Sequence, residues 1–374
     1  MASIQDSYEI LAGEQLKTAA EFTIHTLAKS ELGRRAIELY AYGPSGRIED
    51  PALHTEIAGI PLENPFLTGA GWDKRGWAVN GLYSLGFAGT EVGTVPLFGQ
   101  PGLDRPRLFT LDKRHSVGLN AMGFNSKGAV SVAHHLDDQQ PIMGILGVSV
   151  GLNALMPHEH APWAHSAVVS LLYKYADYFV FNPASPNTKE LHKLQRKDML
   201  RACIQSMQEA MEELGGQKPL FVKLSPDIKT NIFEDAVQTT VDQRASGLVL
   251  ANTSTARIYK AMYGAEDRPG GISGDINTYR SHVLGMIIDA YEEVGDQIDI
   301  IASGGVSTAD HAVEYMIGGA SAVQVMTAMR PTHGRIAAQL NRGTLDYLKG
   351  HNVSNVKELI GVGTQRGAKF PTAA

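Results

Sequence analysis

Short apolar segments alternate with longer segments of helical periodicity along the chain from residue 60 onward. Such apolar runs, bounded by glycine, proline or polar residues, are typical of buried strands, and the segments between them indicate amphipathic helices. Eight strands are predicted, at Phe66–Thr68, Gly89–Val92, Gly144–Val150, Tyr178–Asn182, Leu220–Leu224, Gly247–Ala251, Ile298–Ala302 and Ala322–Val325. Helices are predicted in most of the gaps, including His165–Tyr175, Lys197–Leu214, Ile232–Asp242, Tyr279–Glu293, Thr308–Ile317 and Gly334–Leu348. Eight strand–helix alternations indicate a closed parallel (β/α)8 barrel of the α/β class rather than a doubly wound sheet.

Residues 1–50 predict a helical hairpin that precedes the barrel, and residues 51–374 are assigned to the barrel itself. Apolar residues recur at helical spacing in the first helix, at Leu16, Ala20, Ile24 and Leu27, with Ala19 and Phe22 beside them. Ser30 is a suitable N-cap for the second helix. The hairpin either packs on the barrel or serves as a membrane-surface element. Because the first 50 residues carry 5 basic and 8 acidic groups, membrane docking would depend on apolar burial.

Composition and charge narrow the functional classes. The chain has 374 residues, of which 43% are hydrophobic and 19% charged, so it can bury a large core and global disorder is excluded. Its net charge is −6, whereas binding of nucleic acid requires a positively charged surface, so no nucleic-acid partner is expected. The single cysteine, Cys203, cannot form a disulfide framework or a Cys-rich metal site, and we expect it to pack in a helix. The N-terminus resembles neither a secretory signal nor a mitochondrial transit peptide.

Polar residues are concentrated at the carboxyl ends of the predicted strands, which is where a (β/α)8 barrel holds its active site. They are Lys74 after the first strand, Asn182 and Ser185 after the fourth, Lys223 within the fifth, and Asn252 and Thr253 after the sixth. A lysine inside a barrel strand must meet an anion or an electron-rich ring, because a buried unpaired ammonium is costly. So many polar groups at one face of the barrel predict a functional site there.

Glycine placement predicts a phosphate site at the same face. Ser303-Gly304-Gly305 follows the seventh strand and Met326-Thr327 follows the eighth. The loops after these two strands are the usual phosphate site of this barrel, because glycines there expose backbone N–H groups to an anion. A further glycine-rich segment, residues 270–274, follows the sixth strand. Tight turns between strands and helices are the alternative explanation.

Residues 182–188, with the sequence Asn-Pro-Ala-Ser-Pro-Asn-Thr, form the most unusual segment. Its two amides, Asn182 and Asn187, could recognise a planar imide or amide ring, and Ser185 between them could accept a proton. An ordinary turn would explain the same composition.

A second segment, His158-Glu159-His160 with His165, lacks the ligand spacing of known metal sites, so we interpret it as a surface loop and expect no metal.

Taken together, the motifs of this chain resemble those of the dihydroorotate dehydrogenase family. The matching stretches are NPFLTGAGWDKRG, GFAGTEVGTV, QPGLDRPRLF, LNAMGFNSKG, FNPASPNT, FVKLSPD, ANTST, GGISG, SGGVS and VQVMTA. The resemblance runs from about Ala19 to Gly361. It implies an FMN-containing (β/α)8 barrel that oxidises dihydroorotate to orotate in pyrimidine biosynthesis.

The resemblance also bears on the electron acceptor. In the family the base is a cysteine in the soluble class and a serine in the membrane-associated, quinone-using class, and Ser185 stands at this position. The helical extension also resembles the quinone class. A quinone partner and a peripheral location on the cytoplasmic face of a bacterial inner membrane are therefore expected, with a cytoplasmic or mitochondrial inner-membrane location as alternatives. Oxidation of a related dihydropyrimidine with fumarate or NAD as acceptor, and a catalytically silent flavin-binding barrel, stay open.

The resemblance further implies roles for individual residues. Ser185 would remove a proton from C5 of the substrate while hydride leaves C6 for the flavin, with Thr188 and Phe124 on the proton path. Substrate contacts are expected at Lys74, Asn120, Met122, Gly123, Phe124, Asn182, Asn187, Asn252 and Thr253. FMN contacts are expected at Ala70, Gly71, Thr94, Asn120, Ser149, Asn182, Lys223, Ala251, Ser273, Gly274, Gly304, Gly305, Met326 and Thr327.

Three positions depart from the family pattern. Ser149 stands where the family commonly has an asparagine that helps to hold the flavin. Ala20 and Thr110 stand where the quinone class usually has a histidine and an arginine near the quinone tunnel. The substrate site therefore resembles the family pattern more closely than the quinone site does.

Overall fold

The computed structural model describes residues 4–188 and 190–366, and within them the side chains from residue 14 onward apart from that of Leu16. The strands are β1 (Thr55–Ile57), β2 (Ile60–Leu62), β3 (Phe66–Thr68), β4 (Gly89–Val95), β5 (Phe98–Gln100), β6 (Leu108–Asp112), β7 (Val117–Asn120), β8 (Ser126–Gly128), β9 (Ile145–Val150), β10 (Tyr178–Phe181), β11 (Leu220–Leu224), β12 (Gly247–Leu250), β13 (Gly271–Ser273), β14 (Asp299–Ser303) and β15 (Ala322–Val325). The α-helices are α1 (Ile4–Ala28), α2 (Glu31–Tyr42), α3 (Val79–Ser84), α4 (Ala129–Asp137), α5 (Ala161–Leu172), α6 (Lys197–Glu213), α7 (Thr230–Asp242), α8 (Arg257–Ala261), α9 (Asn277–Val294), α10 (Ala309–Ile317) and α11 (Ile336–Gly350).

Eight parallel strands close into a barrel in the order β3, β4, β9, β10, β11, β12, β14 and β15, and β15 then pairs with β3. These are the eight strands that the sequence predicts, so the (β/α)8 barrel is confirmed. Their bounds agree closely with the prediction except at β4, which continues to Val95 rather than ending at Val92. A helix follows each barrel strand along the chain. The carboxyl ends of all eight strands therefore share one face of the barrel.

The barrel strands are buried on both faces, which explains their nearly continuous apolar sequence. Inside the barrel, the rings of Tyr178 and Phe221 pack edge to face with centroids 5.5 Å apart. Ile57 and Leu62, from the hairpin β1–β2, belong to this same interior cluster. The hairpin therefore closes the end of the barrel where the strands begin, and the opposite end remains for a site.

A small antiparallel sheet lies across that opposite end. It consists of β6, β7 and β13, which come from two different connections of the barrel. Gly271 of β13 pairs with Asn120 of β7, and Ser273 pairs with Gly118. An isolated bridge from Ser254 to Ile272 ties this sheet to the segment after β12. Residues predicted to contact substrate and cofactor therefore lie on one sheet.

The N-terminal hairpin is present as α1 and α2, and the apolar stripe predicted on α1 faces the barrel only in part. Ile24 packs against the core, whereas Ala20 and Leu27 are exposed and Phe22 is 58% exposed. The face that packs on the barrel also carries Lys17 and Glu21, which pair with each other, and Lys17 donates to the carbonyl of Trp72. The side chain of Leu16 lies outside those described. Among the described residues, no helix combines the length and apolar character needed to cross a membrane.

Candidate functional site

A single cavity at the carboxyl ends of the barrel strands collects nearly all of the predicted site residues. Every predicted residue except Ser149 and Thr188 lines this cavity. The lining residues that the sequence predicted are Ala70, Gly71, Lys74, Thr94, Asn120, Met122, Gly123, Phe124, Asn182, Ser185, Asn187, Lys223, Ala251, Asn252, Thr253, Ser273, Gly274, Gly304, Gly305, Met326 and Thr327.

One end of the cavity is built from glycine-rich loops. Gly304 and Gly305 follow β14 with φ of 121° and 76°, conformations that glycine adopts at no steric cost. A Cβ on Gly304 would lie 2.7 Å from Tyr279 Oη, so only glycine fits there without displacement. Across the cavity, the hydroxyls of Ser273 and Thr327 are 3.0 Å apart. Backbone N–H groups and two hydroxyls therefore converge at this end, which suits an anion.

A chain of hydrogen bonds holds the side-chain amide of Asn182 in place. Asn182 Nδ2 donates to Thr94 Oγ1 over 2.8 Å, and Thr94 Oγ1 lies 3.0 Å from Ser149 Oγ. Asn252 Nδ2 lies 3.5 Å from Asn182 Oδ1, which extends the chain along the cavity wall. Ser149 is completely buried and does not line the cavity, but its hydroxyl contacts that of Thr94, which does. Its expected contact with a cofactor would therefore be indirect.

Ser185 and the second pair of amides form the opposite wall. Asn187 Nδ2 donates to Asn120 Oδ1 over 3.2 Å, and the backbone N–H of Asn187 donates to Ser185 Oγ over 3.3 Å. Asn187 Oδ1 is buried and has no hydrogen-bond partner among the described residues. A buried carbonyl oxygen left unpaired is costly, so this atom is available to accept from an N–H group of a ligand.

Of the two residues expected on a proton path, Phe124 lines the same cavity as Ser185 and Thr188 does not. Phe124 lines the cavity, with φ of 50°, and its ring would contact a Cβ on Gly151. Thr188 is buried but does not line the cavity, and Thr188 Oγ1 has no hydrogen-bond partner within the described part of the chain. An unpaired buried hydroxyl three residues from Ser185 can relay a proton, because it both donates and accepts.

Gln324 links Lys223 to the carboxylate of Glu91, and neither Gln324 nor Glu91 is predicted from the sequence. Lys223 Nζ donates to Gln324 Oε1 over 3.3 Å, and Gln324 Nε2 donates in turn to the fully buried Glu91 carboxylate. Burial lowers the pKa of Lys223, and the negative charge of Glu91 opposes this change. Burial likewise raises the pKa of Glu91, opposed by the charge of Lys223. A signal existed, since Glu91 and Gln324 stand inside two predicted apolar strands.

Lys74 lies at the other end of the cavity, close to other cations and bonded to a neutral amide. Lys74 Nζ donates to Asn125 Oδ1 over 2.5 Å. Burial, together with the nearby cations Lys17 and Arg107, lowers the pKa of Lys74 to about 7, and the carboxylates of Glu14 and Glu21 oppose this change. Lys17, which the sequence reasoning did not single out, reaches the same cavity from α1. No pattern in the sequence marks it, because it is one of several charged residues on an exposed-looking helix.

Comparisons with known proteins show the family to which the chain belongs. The sequence matches the family model described as dihydroorotate dehydrogenase over residues 52–348. The chain belongs to the dihydroorotate dehydrogenase family. It is 35% identical to a dihydroorotate dehydrogenase (quinone) of Chloroflexus aurantiacus over 89% of this chain and 92% of the relative. A protein of the same name from Halobacterium salinarum is 33% identical over 91% and 95% of the two chains.

Solved structures of the dihydroorotate dehydrogenase family have the same fold. The ligand-free DHODH of Eimeria tenella superposes with a TM-score of 0.78 at 28% identity, over 91% of this chain and 99% of that chain. The complex of that enzyme with ferulenol gives a TM-score of 0.77 at 29% identity, over 89% and 95%. The resemblance stated from the motifs is therefore confirmed at the level of family and fold.

A second cavity lies between α1 and the barrel. Phe22 and Trp77 provide its aromatic surface, and Arg75, Arg105 and Arg107 line it as well. His25 stacks on Trp77 with centroids 6.0 Å apart. Ala20, one of the departures from the family pattern, is exposed and does not line this cavity.

Thr110, the other departure near the expected quinone tunnel, is contacted by an arginine from a different segment. Arg330, which follows β15, donates from Nη2 to Thr110 Oγ1 over 2.7 Å. Burial lowers the pKa of Arg330, and no carboxylate within the described residues forms an ion pair with it. A guanidinium therefore stands beside Thr110 even though the residue at 110 is not an arginine.

The remaining candidates have structural explanations. His158, Glu159 and His160 form a short 3-10 turn at the surface. His165 is buried in α5, so its assignment to a surface loop was wrong; its ring packs on Phe181 with centroids 4.9 Å apart. Within the described ranges, no cluster of three or more His, Cys, Asp or Glu side chains could hold a metal ion. Cys203 is fully buried in α6, as predicted, and burial raises the pKa of its thiol to about 12.

Proposed function

We propose that this chain oxidises dihydroorotate to orotate with bound FMN and passes the electrons to a quinone, as a step of pyrimidine biosynthesis. The observation that carries the proposal is the convergence of Ser185, Lys74 and four asparagine side chains on one cavity. Relatives that are 33–38% identical carry the name dihydroorotate dehydrogenase (quinone), which supports the same reaction here.

The cavity fits FMN, and the family as a whole is flavin-dependent. Gly304, Gly305, Ser273 and Thr327 would hold the phosphate, because backbone N–H groups and hydroxyls converge there without a side chain in the way. Lys223, with the Glu91 carboxylate behind it, would place a positive charge next to the ring system. Bound FMN would supply the acceptor for the hydride that leaves the substrate.

The substrate would lie between Lys74 and the amides. The Lys74 ammonium would pair with the carboxylate of dihydroorotate, since it is the cation at that end of the cavity with a neutral hydrogen-bond partner. Asn187 Oδ1, buried and unpaired, would accept from a ring N–H, and Asn182 would be oriented for the ring by Thr94. Fixed amides hold the ring at little cost in side-chain entropy, which favours one orientation of the reacting carbon.

Ser185 would take the proton from C5 of the substrate. Its hydroxyl accepts a hydrogen bond from the Asn187 backbone N–H, which leaves its own proton free to be passed on. Serine is a weak base, so the proton must leave as it arrives. The buried hydroxyl of Thr188 is unpaired, and Phe124 covers the cavity wall, so both would direct the proton outward.

The electron acceptor would bind in the second cavity, between α1 and the barrel. Phe22 and Trp77 offer flat apolar surface for a quinone ring, and Arg75 and Arg107 offer donors for its oxygens. Residues 1–50 would form the element through which a quinone enters. Large apolar side chains are exposed on α1 and α2, at Phe22, Leu27, Leu32, Leu39 and Tyr40. This surface would hold the protein peripherally on a membrane, with the cytoplasmic face of a bacterial inner membrane as the proposed location.

The test is an anaerobic mixing experiment with the flavin-loaded protein. Dihydroorotate is expected to bleach the visible flavin absorbance, and Ser185→Ala is expected to slow bleaching by about 10²–10⁴-fold. Ser185→Cys is the matched control, because it keeps a group that can accept the proton. Reoxidation is then followed with a quinone, fumarate and NAD in separate experiments. A flavin that stays oxidised, or a Ser185→Ala variant that bleaches at the normal rate, would refute the proposal.

A further inference from the structure

Lys17 brings a second ammonium into the wall of the substrate cavity from outside the barrel. Its Nζ donates to the Glu21 carboxylate, one turn further along α1, and to the carbonyl of Trp72 in the loop after β3. The side chains of Lys17 and Glu21 are only 13% and 6% exposed. Trp72 is two residues from Lys74, and both lysines line the same cavity. Helix α1 is therefore attached through a charged, nearly buried contact to the loop after β3, which also carries Lys74.

The charged side chains that act on Lys74 come from two other segments of the chain. Lys17, Glu14 and Glu21 approach from α1, and Arg107 approaches from the segment before β6. Arg107 is itself paired with Glu14, Nη2 to Oε1, over 2.8 Å. The partner of Lys74 that the structure gives is a neutral amide, Asn125. Two cations thus stand near Lys74, and the two carboxylates near it are each shared with another cation.

We propose that Lys17 is a positioning residue that acts through Lys74, so that binding of the substrate carboxylate is accompanied by uptake of a proton on Lys74. This inference rests on the proposed function, because it takes Lys74 as the carboxylate-binding group. An ammonium that is enclosed and faced by other cations holds its proton weakly, and an incoming carboxylate strengthens that hold. Burial together with Lys17 and Arg107 lowers the pKa of Lys74 to about 7, which agrees with this.

The reasoning gives a sign for each substitution on α1. Lys17→Met removes a cation and leaves the Glu21 carboxylate without its partner, and both changes favour the charged form of Lys74. Glu21→Gln removes a carboxylate and leaves the Lys17 cation, which disfavours the charged form. Lys17→Arg keeps the cation and serves as the matched control. Loss of packing alone would move the first two variants in the same direction, whereas the proposal requires opposite directions.

The experiment measures proton uptake when orotate binds to the flavin-loaded protein in weakly buffered solution with a pH indicator. At pH 8, uptake of about 0.9 proton per site is expected, since a group with a pKa near 7 is then mostly neutral. For Lys17→Met we expect about 0.5 proton, from a pKa about one unit higher, and for Glu21→Gln no decrease from the starting value. In parallel, the alkaline midpoint of the KM profile for dihydroorotate is expected to rise with Lys17→Met, fall with Glu21→Gln and stay in place with Lys17→Arg.

Lys74→Gln separates the two proposals. If this variant binds orotate normally and without loss of proton uptake, the assignment of Lys74 in the proposed function fails, and the role of Lys17 fails with it. If Lys74→Gln abolishes uptake but Lys17→Met leaves uptake and the KM midpoint unchanged, only the inference about Lys17 is overturned. A shift of the midpoint in the same direction for Lys17→Met and Glu21→Gln would also overturn it.

Discussion

Replacement of His165 by Phe tests how burial against β10, the strand that precedes Ser185, affects the stability of the protein at low pH. His165 is 1% exposed, and its ring packs edge-on against Phe181, the last residue of β10. Neither ring nitrogen makes a well-formed hydrogen bond within the described residues. Burial lowers the pKa of the imidazole to about 4, opposed only in part by the backbone of Ala161. In the unfolded chain a histidine has a pKa of about 6.5.

The folded chain therefore binds this proton less readily than the unfolded chain. The stability associated with neutral His165 is fully present above pH 6.5 and is lost as the pH falls toward 4. The two pKa values correspond to a loss of about 2 kcal/mol at pH 5 and about 3 kcal/mol once both states are protonated. A phenylalanine of similar size cannot take up a proton, so His165→Phe should lack this loss.

The assay is urea denaturation of both proteins at pH 7.5 and pH 5.0. The free energy of unfolding of the unsubstituted chain should fall between these pH values by about 2 kcal/mol more than that of His165→Phe. All other ionisable groups are common to the two proteins, so their effects cancel in this difference. Equal pH dependence of the two proteins would refute the reasoning, whatever the absolute stability of the variant.

Three further predictions concern the two cavities. Thr94→Val should lower the free energy of unfolding by about 1–3 kcal/mol, measured by urea denaturation, because it leaves Asn182 Nδ2 without its acceptor; a change below the error of the measurement would contradict the hydrogen bond. Lys223→Met should lower the free energy of unfolding by about 1–3 kcal/mol, because Gln324 Oε1 loses its donor and the buried Glu91 carboxylate loses a nearby cation, and adding Glu91→Gln should restore part of the loss; an equally unstable double variant would contradict the coupling. Phe22→Ala, at the second cavity, should leave the rate of flavin reduction by dihydroorotate unchanged in stopped-flow experiments and raise the steady-state KM for quinone; an unchanged KM would contradict the proposed quinone site.

The barrel could be predicted from the sequence because its strands are buried on both faces. Such strands give short apolar runs with sharp ends, as at Phe66–Thr68 and Leu220–Leu224, and the structure has both with the predicted bounds. The cavity could be predicted because the carboxyl ends of these strands must meet. The motifs then assigned individual residues to it, and the structure places all but Ser149 and Thr188 along its wall.

Contacts between distant segments could not be predicted. The side of α1 that faces the barrel includes Lys17 and Glu21 beside the apolar Ile24 and Ala28, because Lys17 pairs with Glu21 and with the Trp72 backbone. Periodicity reports only where apolar residues lie on a helix, so it does not predict which polar groups find partners on the buried side. Arg330 reaches Thr110 across 220 residues of sequence, and such a contact leaves no local pattern.

The sheet formed by β6, β7 and β13 has a mechanical consequence for ligand entry. Asn120, at the end of β7, pairs with Gly271, and Ser273 at the end of β13 pairs with Gly118. Asn120, expected at the substrate ring, and Ser273, expected at the cofactor phosphate, thus belong to one hydrogen-bonded sheet. Because the backbones of β7 and β13 are hydrogen-bonded to each other, a displacement of either strand is transmitted to the other. The geometry at the two ends of the cavity is therefore coupled through this sheet.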